Sequence, residues 1–177
     1  LVVNASCKVQ DVAHLRKHLS DVCDIEELND RGLIALQGPA AESALAKLNP
    51  EVAAMAFMDV RDVTLVGAPC IVSRSGYSGE DGYEISVPAD KAVELTKALL
   101  ADPDVHPIGL GARDSLRLEA GLCLYGNDID TTTTPVAASL EWAVQKVRRN
   151  GGARAGGFPG ADVILPEFEK GASRRRV

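Results

Sequence analysis

The sequence predicts an α+β fold built on a mixed sheet, and three observations carry that prediction. Segments alternating apolar and polar residues with period two cluster between residues 25 and 87. Helical three-and-four spacing of apolar residues appears at residues 10–22 and 89–100. The elements follow one another as β-β-α-β-β-β-α, not in the strict alternation of a doubly wound sheet.

Taken in order, residues 1–5 are a short apolar run that reads as a strand. Residues 10–22 place Val12, Leu15, Leu19 and Val22 on one face with basic residues opposite, which predicts a helix. Residues 25–28 and 32–37 read as two strands around the turn at Asn29, Asp30, Arg31 and Gly32. Gly38 and Pro39 break the second strand, and residues 40–48 form an alanine-rich helix beginning at Pro39, a good first-turn residue. Asn49 and Pro50 end it, and a further short helix is expected over 50–56. Residues 57–66 and 68–74 alternate as paired strands joined at Gly67. Residues 83–87 form a strand with Glu84 and Ser86 on one face, and residues 89–100 an amphipathic helix closed by Asp102, Pro103 and Asp104. Residues 146–160, basic and glycine-rich, read as a flexible connector.

Composition narrows the function classes. The 177 residues suit one domain or two small lobes, and with aromatics at only 4% the core must come from Leu, Val, Ile and Ala. A net charge of −6 argues against nucleic-acid binding while leaving room for a local basic pocket that takes an anionic small molecule. No apolar run approaches the roughly 18 residues of a membrane span, and no signal peptide opens the chain. Cys7, Cys23, Cys70 and Cys123 lack zinc-site spacing with His14, His18 and His106, so free buried thiols and no metal are expected. The chain starts and stops on what read as strand interiors, as though it were a piece of something longer. Exposed strand edges at Leu1 and Val177 would invite self-pairing into homo-oligomers.

The richest segment is 109–130. An apolar stripe of Leu110, Leu116, Leu118, Leu122 and Leu124 runs through a dense set of charges, which are therefore expected to be partly buried and to need partners or a ligand. Arg113 and Arg117, four apart, share a helical face, with Asp114 and Glu119 placed to pair with them. Such a set is either a structural ion-pair network or an arginine fork presented to a ligand carboxylate. Glycines crowd residues 75–84, permitting positive φ and close backbone approach; the segment is either a plain hairpin or a ligand-facing turn. Glu84 leaves it at the first strand position, where a carboxylate can accept paired N–H donors from an aminopyrimidine-like edge. Trp142, the only tryptophan, reads as half-buried, either a core residue or a flat apolar wall for a heterocycle. Thr131 to Thr134, before Pro135, are expected to cap a turn. No catalytic triad can be read from the spacing.

Residues 33–39 (LIALQGP), 76–85 (GYSGEDGYEI) and 112–130 (ARDSLRLEAGLCLYGNDID) together resemble the aminomethyltransferase family, the T-protein of the glycine cleavage system. Residues 133–142 and 158–164 continue the resemblance, and the latter, with the ArgArgArgVal ending, is most similar to the eukaryotic mitochondrial form. The resemblance implies a matrix protein that binds tetrahydrofolate between lobes. It takes an aminomethyl group from the lipoyl arm of H-protein, releases ammonia and makes 5,10-methylenetetrahydrofolate.

Carried over by resemblance, Glu84 is the pterin-binding carboxylate, Arg113 the folate-site arginine, Trp142 the flanking aromatic and Asn4 a pocket-lining amide. Asp114, Arg117 and Glu119 would hold Arg113 from behind. The family's catalytic aspartate would lie upstream of Leu1 and its C-terminal barrel is not represented, so weak or absent activity is expected of the chain alone. Residues 1–24 and 107–150 would form parts of one folate-binding lobe, 25–106 a second α+β lobe, and 151–177 a connector toward that barrel. Two alternatives remain. One is a non-catalytic folate-binding or oligomerisation module. The other is a folate lobe similar to those of dimethylglycine and sarcosine dehydrogenases, although no flavin-binding sequence is present. The iron–sulfur and tRNA-modification branch of the fold carries a LysGlyCys motif that does not occur here.

Overall fold

The computed structural model describes residues 1–174. The chain divides into two compact units. The first comprises Leu1–Leu36, Ala40–Ser75 and Gly82–Val105, and the second Gln37–Pro39, Gly76–Asp81 and His106 onward.

The first unit is a four-stranded sheet in the order β1-β4-β3-β2 with two helices against it. The strands are β1 (Arg31–Gln37), β2 (Val60–Leu65), β3 (Ala68–Ser73) and β4 (Gly82–Pro88). β2 and β3 pair antiparallel with Leu65 opposite Ala68, so only Val66 and Gly67 form the loop. Both take positive φ (47° and 73°), the backbone twist a two-residue hairpin requires. β3 and β4 are also antiparallel, with Ser73 opposite Glu84.

Period-two alternation then sorts the sheet's faces. Val63, Leu65, Cys70, Val72, Tyr83, Ile85 and Val87 are buried, together with Leu45 of α2 (Ala41–Ala46) and Leu95 and Leu99 of α3 (Ala92–Leu100). Each such aliphatic side chain contributes about 1.5–3 kcal/mol. The Tyr83 hydroxyl, fully buried, donates to Val52 O at 3.1 Å, which removes the cost of an unpaired phenol. Across the outer face Arg31 donates to Ser86 Oγ (2.8 Å), Ser86 O (2.7 Å) and Pro69 O (3.0 Å), tying three strands with one fork.

Four expectations need correction here. Residues 1–4 are not a strand: Leu1 and Val2 are exposed, and these residues pair with none of the described strands, without which a short extended run is not stable. Residues 25–28 are irregular, and β1 stands without that partner. The first helix, α1, spans Lys8–Leu19 and fully buries none of its residues; of its apolar stripe, Val12 and Leu15 are half-buried and Leu19 is exposed. Residues 146–160 are not a loose connector. Arg154 N donates to Val147 O and Gly156 N to Arg148 O, while Arg148 Nη1 returns to Gly156 O. A further helix follows, α5 (Ala161–Lys170), despite Pro166 inside it. Val177, one of the two expected strand edges, lies outside the described residues, as do Arg175 and Arg176 of the ArgArgArgVal ending.

In the second unit α4 spans Leu110–Glu119. It is shorter than the apolar stripe suggested, because Gly121 (φ 71°) turns the chain and Leu122 N caps it on Arg117 O. The threonines do cap a turn, organised by Asp130, whose carboxylate accepts from Thr132 N and Oγ1 and from Thr133 Oγ1. Those bonds hold the Asp130 carboxyl below the usual carboxylate range.

Candidate functional site

The candidate residues fall in both units, and each unit is described by itself. In the first, Glu84 sits on the half-exposed outer face of β4, as the alternation required. Ser73 Oγ and Ser75 Oγ lie 2.8 Å apart, and Ser75 Oγ donates to Glu84 Oε2 at 3.2 Å. One carboxylate oxygen is thereby oriented, and Oε1 has no hydrogen bond to the described residues. Asn4 precedes a 3-10 turn at Ala5–Cys7 and accepts from Cys7 N through its backbone oxygen, its side chain exposed and not used as a cap.

In the second unit the glycine-rich turn meets α4. The Arg113 guanidinium lies over the Tyr77 ring, 4.9 Å from its centroid. Stacking of this kind leaves the guanidinium edges free to donate, and Arg113 makes no ion pair among the described residues. The Tyr77 hydroxyl donates to Cys123 O. Burial pushes the Tyr77 phenol up, with Arg117 and Arg113 pulling the other way, so it stays a neutral donor. Two glycines beneath it are closely approached. A Cβ on Gly76 would fall 1.6 Å from Gln37 Oε1, the atom that accepts from Ser78 Oγ, and one on Gly79 (φ 82°) would fall 2.6 Å from Ala120 Cβ.

Arg117, not Arg113, is the buried arginine, at 4% exposure. Its Nε donates to Asp114 Oδ1 at 2.8 Å, and Nη1 to Leu122 O (3.2 Å) and to Asp128 Oδ2. Asp128 Oδ2 also takes Leu124 N at 2.9 Å. The Asp114 hydrogen bond, and then Asp128, raise the Arg117 pKa further. The expected pairing of Asp114 with an arginine is therefore present, to Arg117. Glu119 is exposed and makes no ion pair among the described residues. Trp142 is 75% exposed in the 3-10 turn Glu141–Ala143, contrary to the half-buried position its neighbours suggested. The buried apolar residues nearest it in the chain are Val136 and Ala138.

Sequence reasoning did not single out Tyr77, although its position between Gly76 and Gly79 was a usable signal. Of the four thiols, Cys7 and Cys70 are buried, Cys123 is intermediate and Cys23 is exposed, so the expectation of burial fails at Cys23. Among the described residues no group of three His, Cys, Asp or Glu side chains is placed to hold a metal, and no helix is long and apolar enough to cross a membrane.

The chain belongs to the GCVT N-terminal domain family, whose model matches residues 1–148. Within that family it is similar to the mitochondrial aminomethyltransferases. It is 49% identical over 181 residues to the probable mitochondrial aminomethyltransferase of Schizosaccharomyces pombe, covering 100% of this chain and 46% of that protein. It is 50% identical over 186 residues to the mitochondrial aminomethyltransferase of Solanum tuberosum, covering 100% and 45%. Among solved structures, aminomethyltransferase T of the glycine cleavage system from Bartonella henselae superposes with a TM-score of 0.84 at 44% identity, covering 98% of this chain and 46% of that one. The chain spans about half the length of the curated relatives it matches.

Proposed function

We propose that the chain is the folate-binding part of an aminomethyltransferase that transfers a one-carbon unit from aminomethyl-lipoyl H-protein to tetrahydrofolate with release of ammonia. The observation that carries this reading is Arg113, stacked on Tyr77 with no ion pair among the described residues. A buried or half-buried cation normally has a partner, and a fork left open on an aromatic face suits a planar ligand carboxylate. Glu84 supports it separately: a carboxylate oriented by Ser75 accepts N–H donors from an aminopyrimidine edge. Trp142 serves as an exposed aromatic face for the ring system, and Asn4 as a pocket amide.

Tetrahydrofolate acts as substrate; the names of the relatives support a mitochondrial location, and the matrix is our proposal within it. On this reading residues 1–24 and 107–150 form parts of one folate-binding lobe, 25–106 an α+β lobe carrying the turn at 76–85, and 151–177 a connector. Titration with tetrahydrofolate, read by Trp142 fluorescence, tests the reading. Saturable quenching is expected, weakened about tenfold by Arg113→Ala, the loss of roughly one charge-assisted contact. A flat titration of the unsubstituted chain would abandon the folate site and favour a non-catalytic module.

A further inference from the structure

Trp142 presents a physical puzzle. An exposed indole on a single 3-10 turn ought to wander, yet the turn is bound at both ends by one side chain. Arg149 Nη2 donates to Glu141 O at 2.5 Å and Nε to Val144 O at 2.9 Å, so the fork bridges the carbonyls on either side of Trp142. The guanidinium's flat face is covered by Phe168 of α5, 4.7 Å to the ring centroid.

α5 is in turn fastened around this point. Asn150 Nδ2 donates to Leu165 O (3.1 Å) and Glu169 Oε1 (2.7 Å), and Thr134 Oγ1 bonds Glu167 Oε2 at 2.5 Å. Arg149 and α5 lie beyond the family match at residues 1–148. A guanidinium whose edge is spent on two backbone carbonyls and whose face is spent on a phenyl ring has little left for a ligand. Its geometry serves the turn.

We propose that Arg149, backed by Phe168, is a positioning residue that holds the backbone turn from which the Trp142 indole projects, making the segment after residue 148 part of the binding architecture. The functional half of this proposal rests on the reading of Trp142 as a wall of the folate site. A lysine at 149 keeps the charge but supplies a point donor, unable to bridge two carbonyls or to stack on Phe168.

Because Trp142 is the only tryptophan, the chain reports on itself. Time-resolved tryptophan anisotropy and tetrahydrofolate affinity would be compared for the unsubstituted chain, Arg149→Lys, Phe168→Leu and the control Arg148→Lys. Arg148 bonds Arg154 O and Gly156 O, away from the Trp142 turn. Circular dichroism and melting would verify that each variant folds. The expected result is a new fast depolarisation phase in Arg149→Lys and Phe168→Leu, absent from the control, with tetrahydrofolate binding weakened about tenfold. Unchanged anisotropy in a folded Arg149→Lys overturns the clamp, whatever the folate result. A fast phase with unchanged folate affinity overturns the positioning role. A fast phase in a chain whose unsubstituted form binds no tetrahydrofolate upholds the clamp and sinks the folate reading instead.

Discussion

In the first unit the buried side chains from Leu36 to Leu99 form one apolar cluster across sheet and helices. In the second, among the described residues, the buried apolar side chains are Val136 and Ala138, and a whole arginine is buried as well. Order there comes from guanidinium forks on backbone carbonyls: Arg117 on Leu122, Arg148 on Arg154 and Gly156, Arg149 on Glu141 and Val144. An apolar cluster is non-directional and tolerates small displacements. A fork is directional, so it holds loops in one conformation without needing much apolar area.

The largest test of the contrast is Leu95→Ala. Its side chain is completely buried in the apolar cluster, so chemical denaturation should show a loss of about 2–5 kcal/mol. Val136→Ala in the other unit should cost well under that, and equal costs would erase the distinction.

Next comes Arg117→Met, which leaves Asp114, Asp128 and Leu122 O without their shared donor. Hydrogen exchange at the Leu124 amide, which depends on Asp128, should accelerate roughly tenfold or more while the Val72 and Ile85 amides hold their protection. Equal acceleration at all three would mean that the second unit has no order of its own.

Gly79→Ala should cost about 1–3 kcal/mol from the left-handed backbone and the close approach to Ala120, measured by thermal melting. A neutral Ala there would show that the turn relaxes freely.

The smallest effect is electrostatic and sits in the first unit. The Lys47 Nζ–Asp102 Oδ2 bond (2.7 Å), then Asp104 N, hold the Asp102 carboxyl below its ordinary value. A depressed carboxyl stabilises above its unfolded pKa and loses that contribution as pH falls through its folded one. The acid limb of the unfolding curve should therefore shift slightly to higher pH in Asp102→Asn, and an unshifted limb would remove the pair from the account.

Much of the first unit was legible in the chain because alternation and punctuation agree. Gly67 marks the hairpin, Asn49 caps the turn Pro50–Ala54 by accepting from Glu51 N at 3.0 Å, and Tyr83, Ile85 and Val87 point inward as their spacing requires. Residues 1–4 and 25–28 misled for a shared reason: β propensity describes a surface that fits a partner, and no local feature announces whether one is present. In the second unit the signal was weaker still. Nothing periodic distinguishes Arg117, which folds inward onto three partners, from Arg113, which stacks on Tyr77 thirty-six residues earlier. Arg149 and Phe168 escaped for the same reason, since fork bonds to carbonyls leave no trace in side-chain patterning.

The amino-acid order by itself determined the α+β class, the hairpin, the strand placing Glu84 outward and the resemblance that the family match bears out, because these rest on local spacing and on motifs read along one stretch. Only the tertiary structure decided which arginine is buried and which stays open, that Tyr77 lies under Arg113, that Trp142 stands in solvent, and that the glycine-rich stretch after residue 146 is a bonded turn leading into α5. Those outcomes depend on where carbonyls and rings far apart in the chain meet, and directional bonds to backbone atoms are set by geometry that residue types do not encode.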